Sequence, residues 1–163
     1  MVATVLIGEK NGTSGTFTDK TSGTIRFKNA DNATVDTNNP LVVPTAGTEY
    51  SYEKWLRLKI TVAPDTQITN PKFYTDGANG FGTGVNMYAK AVTTYATPAE
   101  ATGTGGYTDA FTYTSGSALS LGTSTATGTG EVFDHTVCMM TVATTASQGS
   151  LVAESVVWSY DEI

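Results

Sequence analysis

The sequence predicts an all-β protein, an antiparallel β-sandwich, from three observations. Apolar and polar residues alternate in several short runs, which is the period of a strand and not of a helix. Turn-forming residues separate these runs, and glycine alone occurs 17 times. Charged residues make up only 15% of the chain, and threonine, whose β-branched side chain suits the solvent face of a strand, takes their place. We expect a jelly-roll arrangement, with an immunoglobulin-like sandwich as the alternative.

Three short runs precede the first strong signal. They are predicted as strands at Ala3–Ile7, Thr24–Lys28 and Leu41–Val43. The pair Asn11-Gly12 after the first run is a turn signal, because both residue types accept positive φ. The opening segment could either join the sandwich or add as a strand to a neighbouring protein, and we expect it to join the sandwich.

The clearest strand runs from Tyr52 to Ala63. Its two faces separate cleanly, with Leu56, Leu58, Ile60 and Val62 on one side and Trp55, Arg57, Lys59 and Thr61 on the other. A period of two held over four repeats fixes a long strand, whereas a helix would scatter these residues around its circumference. Pro64 ends the strand because proline cannot continue a ladder.

The remaining predicted strands are Lys72–Tyr74, Val85–Tyr95, Ala110–Thr114, Glu131–Thr144 and Leu151–Tyr160. Glu131–Thr144 is apolar on both faces, which indicates a central strand covered on both sides or one that crosses an interface. No run predicts a helix, because Gly103–Gly106 would stop one started at Pro98. Residues 121–130 predict a long exposed loop, and no composition shift divides residues 1–163, so we expect a single β-sandwich domain.

Charge and composition exclude several classes of function. The net charge of −6 argues against nucleic acid and against an anionic membrane surface as partners. No segment approaches the length of a membrane span. The first eight residues lack the basic region and the longer apolar stretch of a signal peptide, which predicts a protein made and folded in a cytoplasm.

Few residues in the sequence could support catalysis or bind a metal ion. Cys138 lies in an apolar run, so we expect a buried, unreactive thiol. His135 is the only histidine, and the adjacent Asp134 would point to the opposite sheet face, so we expect a packed histidine and no catalytic triad. One cysteine and one histidine cannot close a zinc site. We expect no enzyme activity, no cofactor and no metal, although one loop offers calcium-type oxygens at Asp31, Asn32, Asp36, Asn38 and Asn39.

Aromatic residues are the remaining candidates for function. Such side chains stack on sugars and are enriched where proteins meet proteins, although packing in a core is the commoner role. The possible interaction surface that the sequence predicts consists of Tyr52, Trp55, Tyr74, Trp158 and Tyr160.

Three segments carry a family resemblance. Residues Tyr50–Ile60, Asn70–Gly77 and Val156–Ile163 resemble small β-sandwich structural proteins of tailed bacteriophages. The resemblance implies a capsid decoration (cement) protein, or another accessory virion protein, that binds the outside of an assembled shell without catalytic residues. It implies the major capsid protein or other virion proteins as partners, a homo-oligomer with a trimer favoured, and a location in virions assembled in the host cytoplasm. The alternatives are a carbohydrate-binding or receptor-binding module and a tail or neck structural protein.

Overall fold

The computed structural model describes residues 2–163 and contains two antiparallel sheets packed face to face. Strands form 42% of the chain and helix only 2%, so no helical layer covers either sheet. The ten strands are β1 (Thr4–Asn11), β2 (Thr16–Asp19), β3 (Thr48–Tyr50), β4 (Lys54–Val62), β5 (Ile68–Thr75), β6 (Val85–Val92), β7 (Thr108–Asp109), β8 (Leu119–Ser120), β9 (Gly130–Ala143) and β10 (Val156–Glu162). The predicted all-β sandwich is therefore confirmed, and its jelly-roll or immunoglobulin-like topology stays a prediction.

The larger sheet has seven strands in the order β2-β1-β4-β9-β6-β7, and β3 pairs with the far end of β9. The central strand β9 is buried on both faces over most of its length, as its two apolar faces predict. Its pairing with β4 shifts between Leu56 and Leu58. Phe133 takes φ 64° on the β9 side of this bulge, a conformation that strains a residue other than glycine.

The smaller sheet has three strands in the order β10-β5-β8. Among residues 2–163 the outer edge of β10 has no neighbouring strand, because β10 pairs there with β5 alone. Seven strands face three, so the small sheet covers only part of the large one. A main apolar core lies between them and includes Leu56, Leu58, Ile60, Phe73 and Phe133.

A second apolar cluster lies beyond the small sheet. Val85, Met140 and Val142 form its centre on β6 and β9. Two long connections supply the cover here, residues 20–47 between β2 and β3 and residues 144–155 between β9 and β10. Loops thus replace the strands that would have completed the second layer.

Two predicted strands are wrong because they lie in a connection that covers the sheet as a loop. Thr24–Lys28 and Leu41–Val43 belong to the connection 20–47 and join no ladder within the described residues. Their alternation is nevertheless meaningful, because the alternate side chains Ile25, Phe27, Leu41 and Val43 pack against the apolar clusters. A period of two reports which side chains are buried, whereas a strand also needs a backbone partner.

Three further boundaries differ from the prediction. Ala110–Thr112 forms a 3-10 helix in place of a strand, because the Asp109 side chain accepts from the Phe111 N–H and caps it. The last strand begins at Val156 and not at Leu151. The loop 121–130 is not wholly exposed, since Leu121 and Ala126 are buried and Ala126 bridges to Ile68.

Candidate interaction surface

A long crevice follows from the incomplete second layer. It lies between the connections 20–47 and 144–155 and has a volume of about 1270 Å³. Its floor is the core-facing side of the large sheet, where Leu56, Met87, Cys138 and Met140 are buried. Its walls are loop segments, so its shape depends on what holds those loops in place.

Exposed apolar residues gather around this crevice. The exposed fraction of the side chain is 65% for Val35, 52% for Val42 and 69% for Val152. Together with two less exposed residues they all line the crevice, and we call the set the apolar rim: Val35, Val42, Leu151, Val152 and Val157. Exposed apolar side chains gathered on one crevice make the apolar rim the candidate interaction surface.

Lysine side chains anchor one wall of the crevice. The Lys54 ammonium donates to the Asn32 carbonyl at 3.1 Å, and the Lys28 ammonium donates to Asn32 Oδ1 at 2.6 Å and to the Thr34 carbonyl. Lys20 donates to the Ala33 carbonyl at 2.5 Å. Burial, and next the charge of Lys54, lower the pKa of Lys28. Residues 32–34 are therefore held to the sandwich by ammonium groups and not by a ladder.

Two charged residues on the crevice lack partners. Arg26 comes from the connection 20–47 and Glu154 from the connection 144–155, and both line the crevice. Within residues 2–163 neither side chain forms an ion pair or a hydrogen bond. The Glu154 carboxylate lies against Gly80, where an added Cβ would sit 2.0 Å from Glu154 Oε1. One wall of the crevice thus offers a free cation and the other a free anion.

His135 is buried on the opposite face of the large sheet. Its Nδ1 lies 3.1 Å from the Val92 carbonyl oxygen, and its Nε2 lies 3.4 Å from Arg57 Nη1. Because the carbonyl can only accept and the guanidinium can only donate, the ring is neutral with its proton on Nδ1. Burial, and next the charge of Arg57, lower the pKa of His135. Both nitrogens are occupied by structural partners, as expected for a packed histidine.

Cys138 and the Asp/Asn loop have structural roles too. Cys138 is buried, as predicted, and burial raises the pKa of its thiol to about 12, which favours an unreactive thiol. In the loop, Asp36 accepts from Asn32, Asn39 and the Asn38 N–H, and these bonds lower its pKa. Across residues 2–163 no group of three or more His, Cys, Asp and Glu side chains is placed to hold a metal ion.

Two of the five predicted surface aromatics belong to the face around His135. Trp55 is only 4% exposed, so it does not present its ring to solvent. A segment that we call the strap, residues 93–107, covers it, with the Tyr95 ring edge-on at 5.4 Å. Tyr52 is half-buried and forms a β-bridge with Glu100 of the strap. The Trp55 ring and the backbone of Tyr52 therefore hold the strap against the large sheet.

The other three predicted aromatics lie together on the small sheet. The Trp158 ring packs 5.1 Å from Phe73, and its Nε1 donates to the Thr136 hydroxyl at 3.0 Å. Tyr160 is half-buried against the core, and burial raises its pKa. Tyr74 is half-buried and pairs with Val157 of the apolar rim. Of these three only Trp158 lines the crevice, while Tyr52 and Trp55 lie by the strap, so the five predicted aromatics do not form one surface.

Sequence reasoning missed the residues that define the crevice. Leu151 and Val152 were assigned to the last strand because they continue its apolar pattern, and Val42 was assigned to a strand for the same reason. Exposure depends on whether a second layer covers the segment, which no local pattern records. The one available signal is that Arg26 lies between the apolar residues Ile25 and Phe27, and that Glu154 interrupts the apolar run 151–157.

Comparisons with protein-family models, with curated proteins and with solved structures found no match to this chain. In addition, no helix within the described residues is long and apolar enough to cross a membrane.

Proposed function

We propose that this protein is a non-enzymatic virion structural protein of a tailed bacteriophage, most specifically a head decoration protein that binds and stabilises the outside of the capsid. The observation that carries the proposal is the apolar rim, five exposed apolar side chains gathered on one crevice. The resemblance of three segments to phage structural proteins supplies the class of partner, the major capsid protein or other virion proteins.

A small apolar surface such as the apolar rim is sufficient for binding to a shell. Burying exposed valine and leucine side chains releases about 25 cal/mol per Å² of apolar area, so a modest patch supplies a modest affinity. A shell presents many identical sites, and an oligomer that binds several of them at once multiplies weak contacts into stable attachment. The proposed oligomer, with a trimer favoured, therefore needs no deep pocket on each chain.

The state of the reactive side chains supports a non-enzymatic role. The only histidine is neutral, buried and hydrogen-bonded at both nitrogens, and the only cysteine has a raised pKa. A general base must instead reach a substrate, and a nucleophilic thiol needs a lowered pKa. His135 is fully buried, and Cys138, although it lies at the floor of the crevice, is only 2% exposed.

The alternative functions need either a different surface or a different partner. A carbohydrate-binding or receptor-binding role needs exposed rings, but Trp55 is covered by the strap and Trp158 packs on Phe73. The half-buried Tyr52 and Tyr74 lie on different sheets and do not form a flat row. A tail or neck role would use the same apolar rim, so the choice of virion substructure in the assay separates it from a head role.

The experiment is co-sedimentation with empty shells assembled from the major capsid protein encoded in the same genome. We expect the wild-type chain to pellet with shells and to raise their resistance to heat. Tail tubes serve as the second substrate, and binding to tubes alone would assign the protein to the tail. Binding to neither particle would contradict the proposal.

A matched pair of variants tests the surface. Val152→Asp places a charge on the apolar rim, and its desolvation should weaken shell binding roughly tenfold or more. Val2→Asp makes the same change at a residue that is 79% exposed and lies away from the crevice, and we expect unchanged binding. Equal losses in both variants would mean that the rim is not the surface used.

A further inference from the structure

The crevice has two charged walls that complement each other but do not meet. Arg26 and Glu154 line it from opposite connections, and neither has a partner in the described part of the chain. The remaining charges keep most of this division, and the exception is Asp36 on the connection 20–47, which lines the crevice but already accepts hydrogen bonds from Asn39, Asn32 and the Asn38 N–H. Residues 20–28 carry only basic charges and residues 154–162 only acidic ones. A surface of this kind is complementary to itself.

We infer that a second copy of this chain docks at the crevice, with Arg26 of one copy paired to Glu154 of the next and the apolar rims buried between them. The inference rests on the proposed function and names the contact that builds its oligomer. The apolar rim then supports shell binding through that oligomer, because rims buried between copies hold together the assembly that attaches at several shell sites at once. A strongly basic or strongly acidic foreign partner would match only one wall, whereas a second copy matches both. In a two-fold pair the contact occurs twice, and in a three-membered ring it occurs three times.

The apolar rim supplies the attraction, and the charges supply orientation. Each chain carries a net charge of −6, so two copies repel each other at long range. Burial of Val42 and Val152 must outweigh this repulsion, which is screened at physiological ionic strength. The Arg26–Glu154 pairs then reject orientations that would bring like walls together, as charges at an interface commonly do.

The unpaired backbone around the crevice fits the same contact. Residues 24–28 alternate like a strand but join no ladder within residues 2–163, apart from the Lys28 carbonyl, which accepts from the Tyr52 N–H, and the outer edge of β10 has no neighbouring strand there. Both segments line the crevice. An approaching copy can satisfy these backbone groups, which an exposed edge strand otherwise leaves open to uncontrolled association.

The test is sedimentation equilibrium of the purified chain at concentrations up to about 100 μM, where an interface of standard size is occupied. We expect a mass above that of the monomer for the wild type. Arg26→Glu and Glu154→Arg should each raise the dissociation constant roughly tenfold, because each places like charges across the contact. The double variant R26E/E154R restores opposite charges, and its dissociation constant should return to within about threefold of the wild-type value.

Matched controls exclude a general effect of net charge. Lys72→Glu changes the charge as Arg26→Glu does but lies on β5 away from the crevice, and Glu100→Arg matches Glu154→Arg in the same way. Both controls should leave the dissociation constant unchanged. A monomeric wild type, a double variant that fails to recover, or controls that shift as far as the crevice variants would each overturn the inference.

The outcomes separate this inference from the proposed function. A wild-type chain that stays monomeric in solution but pellets with shells would overturn the inference and leave the proposed function standing. A chain that follows the charge-reversal pattern but binds neither shells nor tail tubes would retain the inference and overturn the proposed function.

Discussion

The Glu9 carboxylate accepts a hydrogen bond from the Lys54 ammonium at 3.0 Å, and both side chains are at most 1% exposed. The pair joins β1 to β4 beneath the connection 20–47. Lys54 also donates to the Asn32 carbonyl, while Lys20 lies 3.9 Å from the second Glu9 oxygen. Removing two charges from water is unfavourable, so the pair is tolerated because each member compensates the other.

Replacing Lys54 alone should therefore be strongly destabilising. In Lys54→Met the Glu9 carboxylate loses its buried counter-ion and the Asn32 carbonyl loses its donor. We expect the free energy of unfolding to fall by about 3–5 kcal/mol, measured by urea denaturation. The loop that Lys54 anchors should also exchange its amide hydrogens faster.

The matched control removes both charges. In the double variant with Glu9→Leu and Lys54→Met neither member of the pair is left without the other, although Lys28 and Lys20 lose the Glu9 charge, so part of the stability should return. A double-mutant cycle then gives the coupling energy of the pair. A double variant that is less stable than Lys54→Met would show that the two residues act independently.

The alternation of Leu56, Leu58 and Ile60 was sufficient to predict β4 to within two residues at its start. The same reasoning found β9 and its burial on both faces, because a strand in the middle of a covered sheet must be apolar on both sides. It failed at residues 24–28, where alternate side chains are buried but the backbone joins no ladder in the described part of the chain, and the Lys28 carbonyl accepts a single hydrogen bond from the Tyr52 N–H. The local sequence pattern indicates which side chains are buried, whereas the pairing of a strand depends on the rest of the fold.

The candidate site was harder to predict for a related reason. Trp55 was expected on an interaction surface because large aromatics are common there, but the strap covers it. Val152 was expected inside a strand, but it lies exposed on the crevice. Both errors have one cause, since the exposure of a side chain depends on distant segments that fold over it.

A methyl group added at Gly8 would clash with a neighbouring side chain. A Cβ built there would lie 2.1 Å from the ring of Phe17, which packs over β1 and lies beneath Lys59. We expect Gly8→Ala to lower the free energy of unfolding by roughly 1–3 kcal/mol. Adding Phe17→Ala should remove most of this difference. Gly128→Ala is the control, because nothing lies within 4 Å of its added Cβ, and an equal loss there would contradict the explanation.

The lowered pKa of His135 predicts a stability that depends on pH. The unfolded histidine titrates near its ordinary value of 6.5, whereas the folded one stays neutral to lower pH. Between these two values the unfolded state binds more protons, so stability rises with pH. As pH falls from 6.5 towards the folded pKa the contribution is lost, at about 1.4 kcal/mol for each unit of difference.

Two measurements check this dependence. The chain has one histidine, so the imidazole signal in proton NMR is unambiguous, and its midpoint should lie below 6.5. The loss of unfolding free energy between about pH 7.5 and about pH 5.5 should be smaller in His135→Gln than in the wild type. A midpoint at or above 6.5 would contradict the assigned neutral ring.

The strap should open when its main aromatic contact is removed. Tyr95 packs on Trp55, and its hydroxyl donates to the Gly12 carbonyl at 2.6 Å. In a Trp158→Phe background Trp55 is the only tryptophan, and Tyr95→Ala should shift its emission to the red and speed quenching by acrylamide. Tyr95→Phe keeps the ring and loses one hydrogen bond, so it should cost about 1 kcal/mol and leave the emission unchanged. An identical emission in all three proteins would mean that the strap stays closed without the ring.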